Sequence, residues 1–220
     1  MGQVVLIHGA WHGAWCWDGV VQEIRRRGVA VEAVNLPFTS LADDAAAARA
    51  AIEAGGDGSV VCGHSYGGMV ISNAATGLPG VKRLVYLCAF QTEANEDPLA
   101  LIATDPSPLL TAISVDDAGM TVDPARLHEV FYADSDQSTV DEIAPRLRAM
   151  PVGDTWMSTE PAWKSVPSTY VVCGKDQAIS PSVQRLMAAR ADDVVEWECD
   201  HSPFLTRPAE VATLLASYLS

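Results

Sequence analysis

Ser59-Val60-Val61-Cys62-Gly63-His64-Ser65-Tyr66-Gly67-Gly68-Met69-Val70-Ile71-Ser72-Asn73 opens on a β-branched apolar run, turns through a glycine-flanked serine and leaves on a helical apolar pattern. The string G-x-S-x-G carries weight because of that context. A strand directly before it and a helix directly after it predict a tight turn that holds Ser65 in strained backbone geometry, its hydroxyl above the sheet. Gly63 and Gly67, two residues to either side, are expected because neighbouring backbone passes too close for a Cβ. The helix beyond Ser65 adds positive potential at its N-terminus, where an oxyanion would develop.

The same alternation runs outward in both directions. Val4–Ile7, Val29–Val34, Arg83–Leu87, Ser168–Cys173 and Val194–Glu198 are short, nearly continuous hydrophobic runs like Ser59–Cys62, the pattern of strands buried on both faces of a parallel sheet. Amphipathic segments separate them. Trp17, Val21 and Ile24 form one stripe, closed by Arg25-Arg26-Arg27-Gly28, and Leu41, Ala45, Ala48 and Ile52 another, stopped by Gly55-Gly56. Ser180-Pro181 reads as an N-cap followed by proline at the first helical position, with Val183, Leu186 and Met187 on one face. Val211, Leu214, Leu215 and Tyr218 make the last stripe. This alternation predicts right-handed crossovers and an α/β fold, doubly wound around a mainly parallel sheet of about six strands.

Residues 91–163 break the rhythm. No strand pattern is evident there, prolines recur, acidic residues cluster at 93–97 and 134–141, and helices are expected at 124–132 and 138–150. The expected organisation is one core built from residues 1–90 and 164–220, with residues 91–163 as a short helical cap. Such an insertion sits over the carboxyl ends of the strands, where open α/β sheets bind ligands.

The chain has 220 residues, 49% hydrophobic and 19% charged, a globular composition sufficient for a single core. Acidic groups outnumber basic ones 28 to 14, for a formal charge of −14. Such a surface repels phosphate backbones and anionic headgroups, so nucleic acid and membrane are not expected partners. No apolar run approaches transmembrane length, and the opening Met1-Gly2-Gln3 carries no basic segment or cleavage site. The cysteines, Cys16, Cys62, Cys88, Cys173 and Cys199, form no C-x-x-C pair, and four follow apolar runs, where cysteine acts as a small buried hydrophobe. A reduced, cytoplasmic protein is expected, as monomer or homodimer.

A serine hydroxyl is a weak nucleophile and needs an oriented base. Two histidines follow Ser65 in the chain, His128 and His201. His128 falls on a helical stretch of the expected cap. His201, in Cys199-Asp200-His201-Ser202-Pro203-Phe204, stands just past the last strand, at the sheet edge that carries Ser65. Tyr170-Val171-Val172-Cys173-Gly174-Lys175-Asp176 delivers Asp176 to the same edge as the orienting acid, with Asp200 and Glu93 as competitors. The order Ser65, Asp176, His201 is that of the α/β hydrolases. Two backbone donors are expected to form the oxyanion hole, the N–H of Tyr66 and that of Ala10 in the loop His8-Gly9-Ala10-Trp11, where Gly9 permits close approach. His8 and His12 have the spacing of helical metal ligands, but they lie in a glycine-rich loop without a carboxylate or cysteine cluster, so no metal is expected. Ser65 occupies the place of the second glycine in a dinucleotide fingerprint, and no P-loop is present, so no cofactor is expected either.

Val5–Trp17 (VLIHGAWHGAWCW) resembles the opening of the small α/β hydrolases related to plant methylesterases and hydroxynitrile lyases, and Cys62–Asn73 resembles their nucleophile elbow. Ser168–Ile179 with Asp200-His201 gives a third match, and Phe131-Tyr132-Ala133-Asp134 and Arg146-Leu147-Arg148 are similar to the cap of bacterial relatives. The matches span nearly the whole chain. They imply the α/β-hydrolase fold and a cofactor-independent serine esterase, cleaving a carboxylic ester of a small, apolar or aryl-bearing substrate through an acyl-enzyme. The lyase branch carries threonine where this chain has Gly9 and lysine where it has Ser202, so both departures favour the esterase. Trp11, Phe90, Phe131, Trp156 and Phe204 are candidates for the substrate-binding wall, each equally a candidate for the core. The Tyr66 hydroxyl is either a pocket group or part of a packing aromatic. Two other readings stay open: a ligand-binding or receptor homologue that keeps the triad, and hydroxynitrile-lyase-like or other C–C bond cleavage on the same scaffold.

Overall fold

Alternation within Val4-Val5-Leu6-Ile7 explains the layering. A computed structural model of the chain describes residues 2–117, 119–152 and 157–219. Its elements run β1 (Val4–Ile7), α1 (Asp18–Arg26), β2 (Val31–Val34), α2 (Leu41–Ala54), β3 (Ser59–His64), α3 (Gly67–Ala74) and β4 (Val81–Leu87). Between β4 and the next sheet strand come α4 (Pro98–Ile102), α5 (Leu109–Ala112), β5 (Ile113–Asp116), β6 (Gly119–Val122), α6 (Leu127–Phe131) and α7 (Gln137–Ile143). The chain closes with β7 (Ser168–Cys173), α8 (Pro181–Ala188), β8 (Asp193–Trp197), α9 (Pro203–Thr206) and α10 (Pro208–Ser217). Val5 and Ile7 enter one apolar cluster, with α2, α3 and α8, while Val4 and Leu6 enter another, with Trp17, α1 and α10. Successive strand residues face opposite ways, and β3, β4 and β7 divide their side chains between the same two clusters.

The main sheet has six strands in the order β2-β1-β3-β4-β7-β8, every neighbouring pair parallel. Its inner strands β1, β3 and β7 are buried along their whole length, whereas the edge strand β8 leaves Val194 54% exposed. The runs at 29–34 and 194–198, expected to be buried on both faces, are instead the edge strands β2 and β8, which are only partly buried. Because β1 lies between β2 and β3, the winding direction reverses there, and the crevice of a doubly wound sheet opens at the carboxyl ends of those strands. The register Ile7↔Gly63 sets the loop after β1 beside Ser65.

Three further local expectations are corrected. Residues 91–163 are not purely helical, since β5 and β6 form an antiparallel hairpin, Ile113 opposite Val122, with Met150 bridging to Met120. Neither strand is a continuous apolar run, since β5 is largely exposed and β6 only half-buried. The helix expected over 138–150 ends at Ile143 and passes into a 3₁₀ turn, Ala144–Arg146, because Pro145 has no N–H to continue the ladder. On α8 the apolar face is rotated: Val183 and Met187 are buried, but Leu186 is 57% exposed and Gln184 is fully buried. No helix among the described residues is long and apolar enough to cross a membrane. All five cysteines are buried and free.

Candidate active site

Ser65 sits at φ +53°, in the left-handed region that L side chains rarely adopt. The crowding that imposes this turn is measurable. A Cβ on Gly63 would stand 2.4 Å from the Gly67 carbonyl oxygen, and one on Gly67 would stand 2.6 Å from that of Ile7. The Ser65 N–H donates to the Leu87 carbonyl (3.3 Å), while its own carbonyl accepts from Phe90 N–H (3.1 Å) and Gly68 N–H (3.0 Å). The strain is thus held from β4 and from α3, whose N-terminus begins at Gly67.

His201 and Asp176 meet beside this turn. His201 Nδ1–H donates to Asp176 Oδ2 at 2.6 Å, with both side chains buried. The other carboxylate oxygen accepts from the N–H groups of Ala178 (2.7 Å) and Ile179 (2.9 Å). The His201 carbonyl is also anchored, accepting from His64 Nε2–H at 2.8 Å and from the Cys88 thiol at 3.5 Å. His64, Cys88 and His201 lie close enough together to suggest metal ligands, but this shared carbonyl accounts for their proximity. The competitors are engaged elsewhere. Glu93 pairs with Lys164 (2.5 Å), and the Asp200 carboxylate accepts from the N–H of Asp134 (2.9 Å) and of Ser202 (2.9 Å). Burial raises the Asp200 pKa above the usual carboxylate range. His128 Nε2 donates to the Ser135 carbonyl within the insertion (3.1 Å).

The loop after β1 comes so close that a Cβ on Gly9 would stand 2.9 Å from Ser65 Cβ and 2.8 Å from His64 Nδ1. Two imidazoles organise it. His8 Nε2 accepts from Leu36 N–H (3.0 Å), so its proton is on Nδ1, which donates to the Gly9 carbonyl (2.9 Å). A trans peptide points its N–H opposite its C=O, so this bond also sets the direction of the Ala10 N–H. His12 Nδ1–H donates to the Ala10 carbonyl (2.7 Å). Burial pushes the pKa of His8 down to about 3 and that of His12 down to about 4, and holds His64 well below its ordinary value. These three rings are neutral at pH 7.

The proposed wall residues separate. Trp11, at φ +63°, tilts against Phe131 with ring centres 5.7 Å apart, and Phe131 lies 5.6 Å from the His201 ring. Trp11 also borders a cavity of about 310 Å³ between this loop and the insertion, together with Val122, Leu127, Leu147 and Arg148. Phe204 is a core residue, packed against Trp17 and His64 in the cluster below the sheet. Phe90 packs half-buried against the opposite cluster and bonds the elbow through its backbone. Trp156 lies outside the described residues. The Tyr66 hydroxyl donates to the buried Asp44 carboxylate (2.8 Å). A wider groove of about 510 Å³ between β8 and α10 is lined by no histidine or cysteine.

Gln184 carries no catalytic signature in the sequence. Its amide donates to Asp176 Oδ2 (2.7 Å) and to the Ile179 carbonyl (2.7 Å), and accepts from Cys173 N–H (2.9 Å). The one signal available was a polar residue in line with Val183, Met187 and Ala188. Arg148, within the cap-like Arg146-Leu147-Arg148, ties the loop after β1 to the segment after β2. Its guanidinium donates to the carbonyls of His12 (3.0 Å) and Leu36 (3.1 Å) and lies over the Phe38 ring.

The model of the alpha/beta hydrolase family matches residues 4–214. The alpha/beta hydrolase nvfD of Aspergillus novofumigatus is 28% identical over 96% of this chain and 94% of its own length. Methylesterase 7 of Arabidopsis thaliana is 26% identical over 96% and 94%. The pyrethroid hydrolase of Sphingobium faniae superposes with a TM-score of 0.80 at 24% identity, covering 99% of this chain and 97% of that one.

Proposed function

The chain belongs to the alpha/beta hydrolase family, and from that premise we propose that it hydrolyses a small carboxylic ester through an acyl-enzyme on Ser65. The observation that carries the reading is the buried His201–Asp176 bond of 2.6 Å, made at the sheet edge where Ser65 is held at φ +53°. Asp176 keeps the imidazole proton on Nδ1, leaving Nε2 with the lone pair a general base requires. His201 takes the Ser65 proton as Oγ attacks the ester carbonyl, and the N–H groups of Ala10 and Tyr66 hold the oxyanion, each worth about 3 kcal/mol of barrier. His201 then protonates the departing alcohol. A water deprotonated by the same ring attacks the acyl group, and the acid leaves as Ser65 recovers its proton. The water supplies OH to the acyl group and H to serine, so the cycle needs no cofactor.

Phe131 against the His201 ring, with Trp11 tilted against Phe131, favours a compact apolar or aryl-bearing substrate. The methylesterase relative supports ester chemistry. Gly9 supports hydrolysis over cyanohydrin cleavage, since a threonine there would drive its Cβ into His64 and Ser65. The test is turnover of p-nitrophenyl acetate, with an initial burst from the intact protein and only background from Ser65→Ala. Equal turnover by the two would refute the assignment.

A further inference from the structure

The carbonyls of Trp11 and His12, in the loop after β1, are held from the insertion. Arg148 N–H donates to the Trp11 carbonyl (2.7 Å), its guanidinium to that of His12 (3.0 Å), and Trp11 Nε1–H to Met120 (2.9 Å). The Ala10 carbonyl is held by His12, and His12 is held by Tyr132 at 2.7 Å. The proton positions follow from the acceptors. A carbonyl only accepts, so His12 carries its proton on Nδ1, and its bare Nε2 obliges the Tyr132 hydroxyl to donate. Both side chains are almost wholly buried.

Tyr132 belongs to a short turn with other ties to the site. Phe131 lies against both Trp11 and His201. Asp134 and Asp200 exchange backbone-to-carboxylate bonds, 2.9 Å one way and 3.0 Å the other, joining the turn to the His201 loop. Within four residues the insertion therefore grips both the loop that carries Ala10 and the loop that carries His201.

We propose that Tyr132 is a positioning residue for the oxyanion hole, acting through His12 on the Ala10 carbonyl so that seating of the insertion and assembly of the hole are one event. With Gly9 fixed by His8 and Ala10 by His12, both peptide planes flanking Ala10 are set, and its N–H stands ready before substrate arrives. The N–H that the relay aims engages charge that develops only in the transition state, so loss of the relay falls on kcat and not on KM.

This rests on the esterase reading, and the experiment separates the two. Tyr132→Phe removes one buried oxygen and keeps the ring. It is expected to lower kcat on p-nitrophenyl acetate about tenfold, less than outright loss of an oxyanion donor, with KM changed less than twofold. Labelling of Ser65 by a fluorophosphonate, which loses fluoride as its phosphonyl oxygen takes the oxyanion's place, is expected to slow by a similar factor. His12→Asn, whose amide nitrogen can take the place of Nδ1, is expected to retain at least tenfold more activity than His12→Leu. This pair decides the matter if Tyr132→Phe fails to fold. A Tyr132→Phe protein with unchanged kcat and labelling rate, or a His12→Asn no better than His12→Leu, overturns the relay alone. A wild-type protein that is not labelled at Ser65 overturns the esterase reading and the relay's catalytic role together.

Discussion

Gln184→Glu offers a test of the buried network that needs no substrate. The side-chain amide stands 2.7 Å from Asp176 Oδ2, and both residues are almost completely buried. Glutamate preserves the shape and the bond from Cys173 N–H, but sets a second carboxyl against the first. Two negative charges about 4 Å apart at an effective dielectric of about 20 repel by about 4 kcal/mol. That penalty lifts the new acid from its ordinary value near 4.3 into the neutral range. The folded-state value is then above the unfolded one, so stability is full at low pH, where the protonated acid donates to Asp176 as the amide did. It falls as pH rises, by about 1.4 kcal/mol per pH unit through the window between the two values. Urea unfolding of wild type and variant should therefore show a gap that widens by about 3 kcal/mol between pH 5 and pH 8. Gln184→Leu should show no such widening, only a constant loss of about 2–5 kcal/mol from stranding Cys173 N–H and the Ile179 carbonyl. A gap for Gln184→Glu that is the same at both pH values, within about 1 kcal/mol, would refute the carboxyl–amide contact as described.

Asp176→Asn should lower kcat on p-nitrophenyl acetate by about 10⁴-fold by favouring the wrong imidazole tautomer; a loss below tenfold would remove Asp176 from the proposed mechanism. Gly9→Thr should cost at least about 100-fold in kcat/KM, since its Cβ cannot enter without displacing Ser65 or His64, and mandelonitrile should remain uncleaved. His8 and His12 are buried with pKa values near 3 and 4, below the unfolded value of about 6.5. Their contribution to stability is complete above that pH and is lost on acidification toward pH 3, at up to about 1.4 kcal/mol per pH unit each. Their ring-proton NMR shifts should stay flat from pH 7.5 to pH 5, and a midpoint above pH 6 for either ring would contradict its burial as a neutral group.

The nucleophile turn was legible because its constraints are local. Gly63 and Gly67 follow from backbone packed within five residues of Ser65 and from one neighbouring strand, and the flanking strand and helix announce themselves by period. Strand ends are legible for the same reason, and they set His201 and Asp176 on one edge of the sheet. The aromatic wall was less so. Phe131 and Phe204 are both 1% exposed, and hydrophobicity alone does not tell a residue against His201 from one beneath the sheet. What separates them is that Pro203 starts a short helix, α9, that turns Phe204 toward Trp17.

Gln184 shows where such reading stops. A helical wheel ranks positions by apolarity, so Leu186 outranks Gln184, yet the leucine faces solvent and the amide is buried. Burial of an amide is unfavourable unless its bonds are made elsewhere, and here the partners come from Cys173, Asp176 and Ile179, brought together by the turn after β7. His12 repeats the lesson over a longer range. Its spacing from His8 looks like a metal pair, while its actual partners are a carbonyl two residues back and a tyrosine 120 residues ahead. Apolar periodicity tells which face of an element is covered, because any hydrophobic neighbour serves. A buried polar group demands one particular neighbour, and that choice exists only after distant segments have met, which is why the residues steering Ala10 and Asp176 stayed silent in the sequence.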